Sequence, residues 1–435
     1  MNDWERVGRH IVRTFYDPLP TNDQDAPISC LGQQYDPKQT PSKPTSTPAP
    51  STLSTTPSLA QSDRTPGNED DSWIRTSLEE SERKEAVNGE DPSRYGGWPQ
   101  PFLDDFESRI WMTYRSGFPL IEKSQDPKAT AAMSFRVRMQ NLAQSGFTSD
   151  AGFGCMIRSG QCILANALLS LRLGRDWRVM HSTPEKNDRS ILSLFADDPK
   201  APFSIHRFVQ HGHAVCGKYP GEWFGPSATA RCIQDLVNDY KSAGLRVYVS
   251  GDAADVYEDN LMKIAKGSDG MFQPTLILVG TRLGIDKITP VYWEALKSSL
   301  QMPQSIGIAG GRPSASHYFV GTQGSQFFYL DPHETRRQLP YYSDLSLYTP
   351  EDIASCHTRR LRRIEIREMD PSMLIAFLVR DEADFEDWKQ GVVSVQGKAI
   401  VHVAKCEPQP RGGPPREEAV DEVESFDEGG DEDVL

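Results

Sequence analysis

Two stretches of the 435-residue chain hold side chains able to break an amide bond. In the first, TSDAGFGCMIRSGQ, Cys155 follows a tight turn in which Gly152 and Gly154 bracket Phe153. Beyond it Ile157, Gly160, Leu164, Leu168 and Leu171 recur at helical spacing along one face. This predicts a buried helix with Cys155 as its first or second residue. Unpaired N–H groups and the positive end of the helix dipole there favour thiolate over thiol. Such a thiolate is the nucleophile of cysteine hydrolases. The second stretch is Leu330-Asp331-Pro332-His333. In extended backbone, residues two apart point the same way, so Asp331 and His333 would face one cleft. Pro332 fixes the backbone between them and donates no hydrogen bond. A histidine near Cys155 can take its proton, and a carboxylate sets the ring tautomer and favours the imidazolium.

Other reactive side chains read differently. His206, His211, His213 and Cys216 have a superficial zinc-ligand spacing, but no second cysteine pair follows. They are read as residues of a Gly-rich loop, and no metal is expected. His317 is a second candidate base, but its aromatic neighbours suit a packed, hydrogen-bonded histidine. Cys162 falls near the Cys155 face of the helix and reads as core.

These residues need elements to hold them. Phe102–Arg115 reads as a short helix running into an extended aromatic segment, and a helical region follows the Cys155 helix to about Arg207. A helix closes over Asp235–Tyr240. Strands are expected at 245–250, 275–280 and 305–309, with a hairpin from 317–320 and 325–330. Further strands are expected at 362–367 and 374–379. A helix after Thr289-Pro290 and a final one over 381–390 complete the set. A helical lobe followed by a mostly antiparallel sheet is α+β.

Composition sets the limits of the folded part. Residues 19–94 are rich in Pro, Ser, Thr, Asn and Asp, too poor in apolar surface to offset ordering entropy, and read as disordered. Residues 1–18 form a short leading segment, 95–406 the folded domain and 407–435 a disordered acidic tail. No basic residue follows Arg416, and the tail carries much of the net charge of −14. That balance argues against nucleic-acid binding. The arginines at 359, 360, 362 and 363 read as a solvated face. No apolar run is long enough to span a membrane, and the first residues lack a signal-peptide core. Seven irregularly spaced cysteines point to a reducing compartment, the cytoplasm.

Four motifs in order, SRIWMTYRSGFP, TSDAGFGCMIRSGQ, GEWFGPS and SHYFVGTQGSQFFYLDPHET, closely resemble the autophagins. These are papain-like cysteine peptidases acting on the ubiquitin-like modifier of autophagy. The resemblance runs from Phe102 to about Val392. It implies Cys155 as nucleophile, His333 as general base and acid, Asp331 as its orienter and Tyr114 as an oxyanion-hole donor. It also implies that Trp223 and a loop of Gly310, Gly311, Arg312 and Pro313 gate the cleft. The implied substrates are the modifier precursor and its phosphatidylethanolamine conjugate, both cut after the same glycine. Contact with autophagic membranes would then come through the substrate. No cofactor is needed, and the nucleus and the phagophore assembly site are further implied locations. Phe153 stands where many members have tryptophan, and the spacer 118–147 is longer than in animal members. The other readings are a non-catalytic adaptor and a peptidase for ubiquitin or another ubiquitin-like tail. At the N-terminus, Trp4–Val7 and Tyr16–Leu19 have the aromatic-x-x-aliphatic pattern of short β-augmenting ligands.

Overall fold

The computed structural model describes residues 19–38, 95–140, 144–183, 186–251, 254–267, 270–311 and 315–408. Its main sheet runs in the order β12-β10-β9-β8-β13-β7-β5. These strands are β5 (Arg246–Val249), β7 (Thr275–Arg282), β8 (Ser305–Gly310), β9 (His317–Gln323), β10 (Gln326–Leu330), β12 (Arg363–Glu365) and β13 (Ser372–Val379). All neighbours are antiparallel except β5 and β7. The α+β expectation thus holds, and every strand expected from sequence is present with shifted ends. The expected hairpin forms, but β9 continues to Gln323, because β1 (Ile28–Cys30) pairs with its second half.

That pairing corrects the reading of residues 19–94 as wholly disordered. Residues 19–38 are part of the fold: β1 lies antiparallel to both β9 and β2 (Gln33–Tyr35). Ile28 and Cys30 are fully buried. Arg175 holds the turn after β1, donating to the carbonyls of Cys30 and Leu31 while pairing with buried Asp105 at 2.6 Å. Three-residue strands inside a Pro/Asp/Ser-rich stretch carry too little periodicity to be seen locally. Only the edge offered by β9 and the Arg175–Asp105 pair make them strands. Trp4–Val7, Tyr16–Pro18, residues 39–94 and the tail from 409 lie outside the described residues.

β7, β8 and β13 are buried along nearly their whole length, so both faces of the sheet centre are covered. The long helix α2 (Cys155–Arg172) packs on β8 and β9 and also meets α3 (Ile205–Val215) and α4 (Pro226–Asp239). A shorter helix, α1 (Gln100–Glu107), precedes it, and α5 (Trp293–Gln301) also packs on β8 and β9. Helix α6 (Glu382–Val393) starts at the expected place, where Asp381 accepts a hydrogen bond from the Asp384 N–H. Helix α2 is buried all round from Cys155 to Ser170 rather than amphipathic. Asn166 pairs with both backbone groups of Ile110, and Gln161 donates to the Phe203 carbonyl.

A small second sheet positions the reactive residues. It has the order β11-β3-β4, from β3 (Arg115–Glu122), β4 (Gly146–Ser149) and β11 (Arg336–Arg337). β3 begins directly after Tyr114, β4 ends six residues before Cys155, and β11 begins three residues after His333. Three distant parts of the chain are thereby brought into register. The remaining pair, β6 (Asp255–Tyr257) and β14 (His402–Ala404), is parallel and stands apart from both sheets.

Candidate active site

Cys155 is the first residue of α2, and Gly154 caps the helix without any side-chain bond to the first turn. The first N–H groups are therefore left to favour a negative charge. The two glycines of the turn act differently. Gly152 has φ 95°, a conformation only glycine adopts freely. Gly154 has an ordinary φ of −86°, but a Cβ there would overlap the carboxylate of Asp150. Asp150 is fully buried and receives Arg158 Nε and the Arg115 N–H, each at 2.7 Å. Arg158 in turn meets Asp197 at 2.8 Å. A buried ion-pair network thus sits under the thiol turn, joining it to the start of β3.

Asp331 and His333 face each other, but through a turn after β10 rather than an extended strand. Oδ1 of Asp331 accepts both the backbone N–H of His333 at 3.0 Å and its ring Nδ1–H at 2.6 Å. The short Asp side chain closes on the backbone two residues on, which strand alternation alone does not anticipate. With Nδ1 donating to a carboxylate, Nε2 is the nitrogen turned toward Cys155. It is buried, and Cys155 acts on it from that side. The turn is fixed from the other side by the Trp111 indole N–H, which donates to the Asp331 carbonyl at 2.7 Å. The Tyr114 N–H likewise donates to the Pro332 carbonyl at 2.8 Å.

Tyr114 is buried and edge-on to the His333 ring at 5.4 Å, with its hydroxyl acting on Cys155. Burial, and then the charge of Cys155, push its phenol well above the ordinary range, so it stays a protonated donor. Burial disfavours the Cys155 thiolate. His333 outweighs that, with help from the Ser316 backbone and Tyr114, and the thiol is held below its usual 9.0. For His333, burial opposes the cation, but Asp331 and Cys155 raise it to about 10. Burial would raise Asp331, and His333 with His317 and Arg362 hold it far below the usual carboxylate range. Together these shifts favour a thiolate–imidazolium pair across neutral pH.

Other sequence expectations resolve individually. Trp223 is half-buried, and among the described residues its buried indole N–H has no partner. Its segment is fixed at Gly221, where a Cβ would overlap Phe147, and Phe147 packs on Phe153 of the thiol turn at 5.4 Å. Gly310 and Gly311 are buried at the end of β8, while Arg312 and Pro313 lie outside the described residues. Cys162 is core as expected, and its sulfur accepts the Met112 N–H at 3.1 Å. The reading of His206–Cys216 as a Gly-rich loop is corrected: the three histidines lie on α3. They do not converge. His206 bonds the Pro119 carbonyl, His211 bonds Asp235, and His213 packs on Tyr219. The arginine run is no solvated face either. Arg359 pairs with Asp104 and Glu107, Arg363 with Asp23, and Arg362 lies 3.9 Å from Asp331. Sequence reading missed Trp111 and Ser316, although both stand inside or beside the quoted motifs.

Comparison with known proteins agrees with the geometry. The model of the peptidase C54 catalytic domain matches residues 99–391. A Phaeosphaeria nodorum protein named probable cysteine protease ATG4 is 64% identical, the match covering 99% of this chain and 100% of that one. A Sclerotinia sclerotiorum protein of the same name is 58% identical over 99% of this chain and 98% of its own. From Pyricularia oryzae, a protein named cysteine protease ATG4 is 49% identical, covering 99% and 97% respectively.

Proposed function

This chain belongs to the peptidase C54 family of cysteine peptidases, the autophagins its motifs resemble, and from that premise we propose that it cuts the ubiquitin-like autophagy modifier after its C-terminal glycine. One reaction then serves two substrates. On the precursor it removes the residues beyond the glycine. On the lipid-linked form it hydrolyses the amide between the glycine and phosphatidylethanolamine. Access to that conjugate is the chain's contact with membranes, and no helix among the described residues is long and apolar enough to cross one. The cytoplasm, the nucleus and the phagophore assembly site are the locations that fit these substrates.

One observation carries the chemistry. Cys155 stands at a helix start without a side-chain cap, facing two buried groups, His333 Nε2 and the Tyr114 hydroxyl. The Cys155 thiolate attacks the glycyl carbonyl, and the oxygen gains the charge. Tyr114 O–H and the Cys155 N–H are donors for that oxyanion, stronger in the transition state than in the ground state. His333 gives its Nε2 proton to the leaving amine as the C–N bond breaks. It then takes a proton from water, which attacks the thioester and frees the glycine carboxylate. Asp331 holds the ring so that Nε2 stays directed at the sulfur. Glycine selection is assigned to Trp223 and the Gly310–Gly311 end of β8, since a channel narrow enough for bare backbone rejects a β-carbon.

Purified wild type and Cys155→Ala, each given precursor and lipid-linked modifier, test this. Wild type is expected to yield one product ending in glycine from both, and the variant none. Cleavage of ubiquitin fusions with the modifier left intact would overturn the substrate assignment.

A further inference from the structure

His317 opens β9 directly after Ser316, whose backbone meets the Cys155 sulfur, and it pairs across the sheet with Gly310. Its Nε2 lies 4.0 Å from Asp331 Oδ1, the same oxygen that accepts both N–H groups of His333. Its ring is edge-on to His333 at 5.5 Å and to Tyr329 at 4.5 Å. Arg362 stands on the other Asp331 oxygen at 3.9 Å. One nitrogen or oxygen each from His317, Asp331 and His333 fall within 4.8 Å of one another. At 2.6 Å the Asp331–His333 contact is a hydrogen bond, so the cluster is built around a proton rather than an ion.

We propose that His317 is a positioning residue for the reactive pair, a second partner of the Asp331 carboxylate whose ring also limits rotation of His333 away from Cys155. This rests on the catalytic reading above. Asp331 serves His333 through one oxygen only, so its alignment depends on what else holds the carboxylate. His317 and Arg362 bear on it from outside the turn. At 4.0 Å the His317 contact is electrostatic rather than a hydrogen bond. Neighbouring residues at the start of β9 thus touch the nucleophile and the carboxylate. A movement of this strand start, next to the Gly310–Gly311 end of β8, carries both partners together. Among the described residues, the titratable groups facing His317 include Asp331, His333 and Tyr329, with Arg362 beyond Asp331 and Cys155 beyond His333. The His317 ring helps keep Asp331 anionic, which preserves the imidazolium that Cys155 needs.

His317→Phe keeps an edge-on ring and removes the nitrogen, while His317→Gln keeps an N–H donor and loses the ring. Two readouts are needed: kcat and KM on a modifier-tail reporter, and the pH dependence of Cys155 alkylation by iodoacetamide, which requires no substrate. For His317→Phe, kcat should fall about five- to tenfold, the scale of one charge contact in a partly solvated site, with KM nearly unchanged. The acid limb of alkylation should move toward neutral pH, and His317→Gln, which restores a dipole but neither the charge nor the ring, should recover only a small part of kcat. Wild-type kcat and alkylation in His317→Phe would overturn the proposal. So would a loss that follows melting temperature alone with the pH profile unmoved. Should the phenylalanine variant not fold, His317→Asn, too short to reach Asp331, is judged by the same criteria. The alkylation contrast decides this inference even if the reporter is the wrong substrate.

Discussion

Replacing Gly154 with alanine tests how the thiol turn is built. The new Cβ would stand 2.7 Å from the Cβ of Asp150 and 2.9 Å from its carboxyl carbon. Carbon atoms pack comfortably at about 3.5–4.0 Å, so the two must separate by roughly 0.8 Å or more. If Asp150 yields, its bonds to Arg158 and to the Arg115 N–H lengthen in a site closed to bulk solvent. Overpacking costs about 1–3 kcal/mol and loss of a buried charge partner about 3–5, so partial relief gives an expected destabilisation of ~2–4 kcal/mol. If the backbone yields instead, Cys155 moves relative to His333, and a shift of this size costs about 10²-fold in rate. Denaturant unfolding and kcat/KM on the modifier precursor measure the two routes. Gly152→Ala is the control. At φ 95° it strains the backbone by about 1–2 kcal/mol, yet it leaves the Asp150 network alone. Wild-type stability and activity in Gly154→Ala would refute the role given to the Asp150 contact.

Three further outcomes are expected. The profile of kcat/KM against pH should be a bell, its acid limb below the ordinary thiol value of 9.0 and its alkaline limb near 10, where His333 loses its proton. Asp331→Asn should lower kcat about 10²–10⁴-fold and bring the alkaline limb down, since the carboxylate no longer favours the imidazolium. The same variant tests linkage. A depressed carboxylate supports the fold above its unfolded value near 3.8 and withdraws that support as pH falls through its folded value, so the variant should lose less stability on acidification than wild type. Ile28→Ala, in the strand that sequence reading placed in a disordered segment, should cost ~2–4 kcal/mol in denaturant unfolding, whereas a near-neutral change would mean that β1 adds little to the core.

The legible parts of the site were those encoded locally. Cys155 could be placed at a helix start because a glycine turn and a helical apolar period meet there, and Asp331 and His333 could be paired because they stand two apart. The reasons for these arrangements were not local. Gly154 is required by Asp150, and Asp331 meets His333 through a turn held by Trp111 and Tyr114 from over 200 positions away. The segment of His211, His213 and Cys216 looked like a loop because Gly212, Gly217 and Gly221 stand in and after it, yet Gly212 sits inside α3, where the Phe224 ring takes the space of a Cβ. The arginines at 359–363 looked like a solvated run because their partners, Asp104, Glu107, Asp23 and Asp331, lie elsewhere in the sequence. β1 depends likewise on the second half of β9, some 290 residues away. Local period and turn chemistry reach the elements, while long-range pairing decides their ends and contacts.

The central claim is that Cys155 is held as a thiolate by His333 before any substrate arrives. The rate of Cys155 alkylation against pH, followed by mass spectrometry in wild type and in His333→Ala, measures it directly. Wild type should show a midpoint below 9.0, and the variant a midpoint at or above it, because burial then opposes the thiolate without the imidazolium to offset it. The same midpoint in both proteins, or a wild-type midpoint at or above 9.0, would contradict the account.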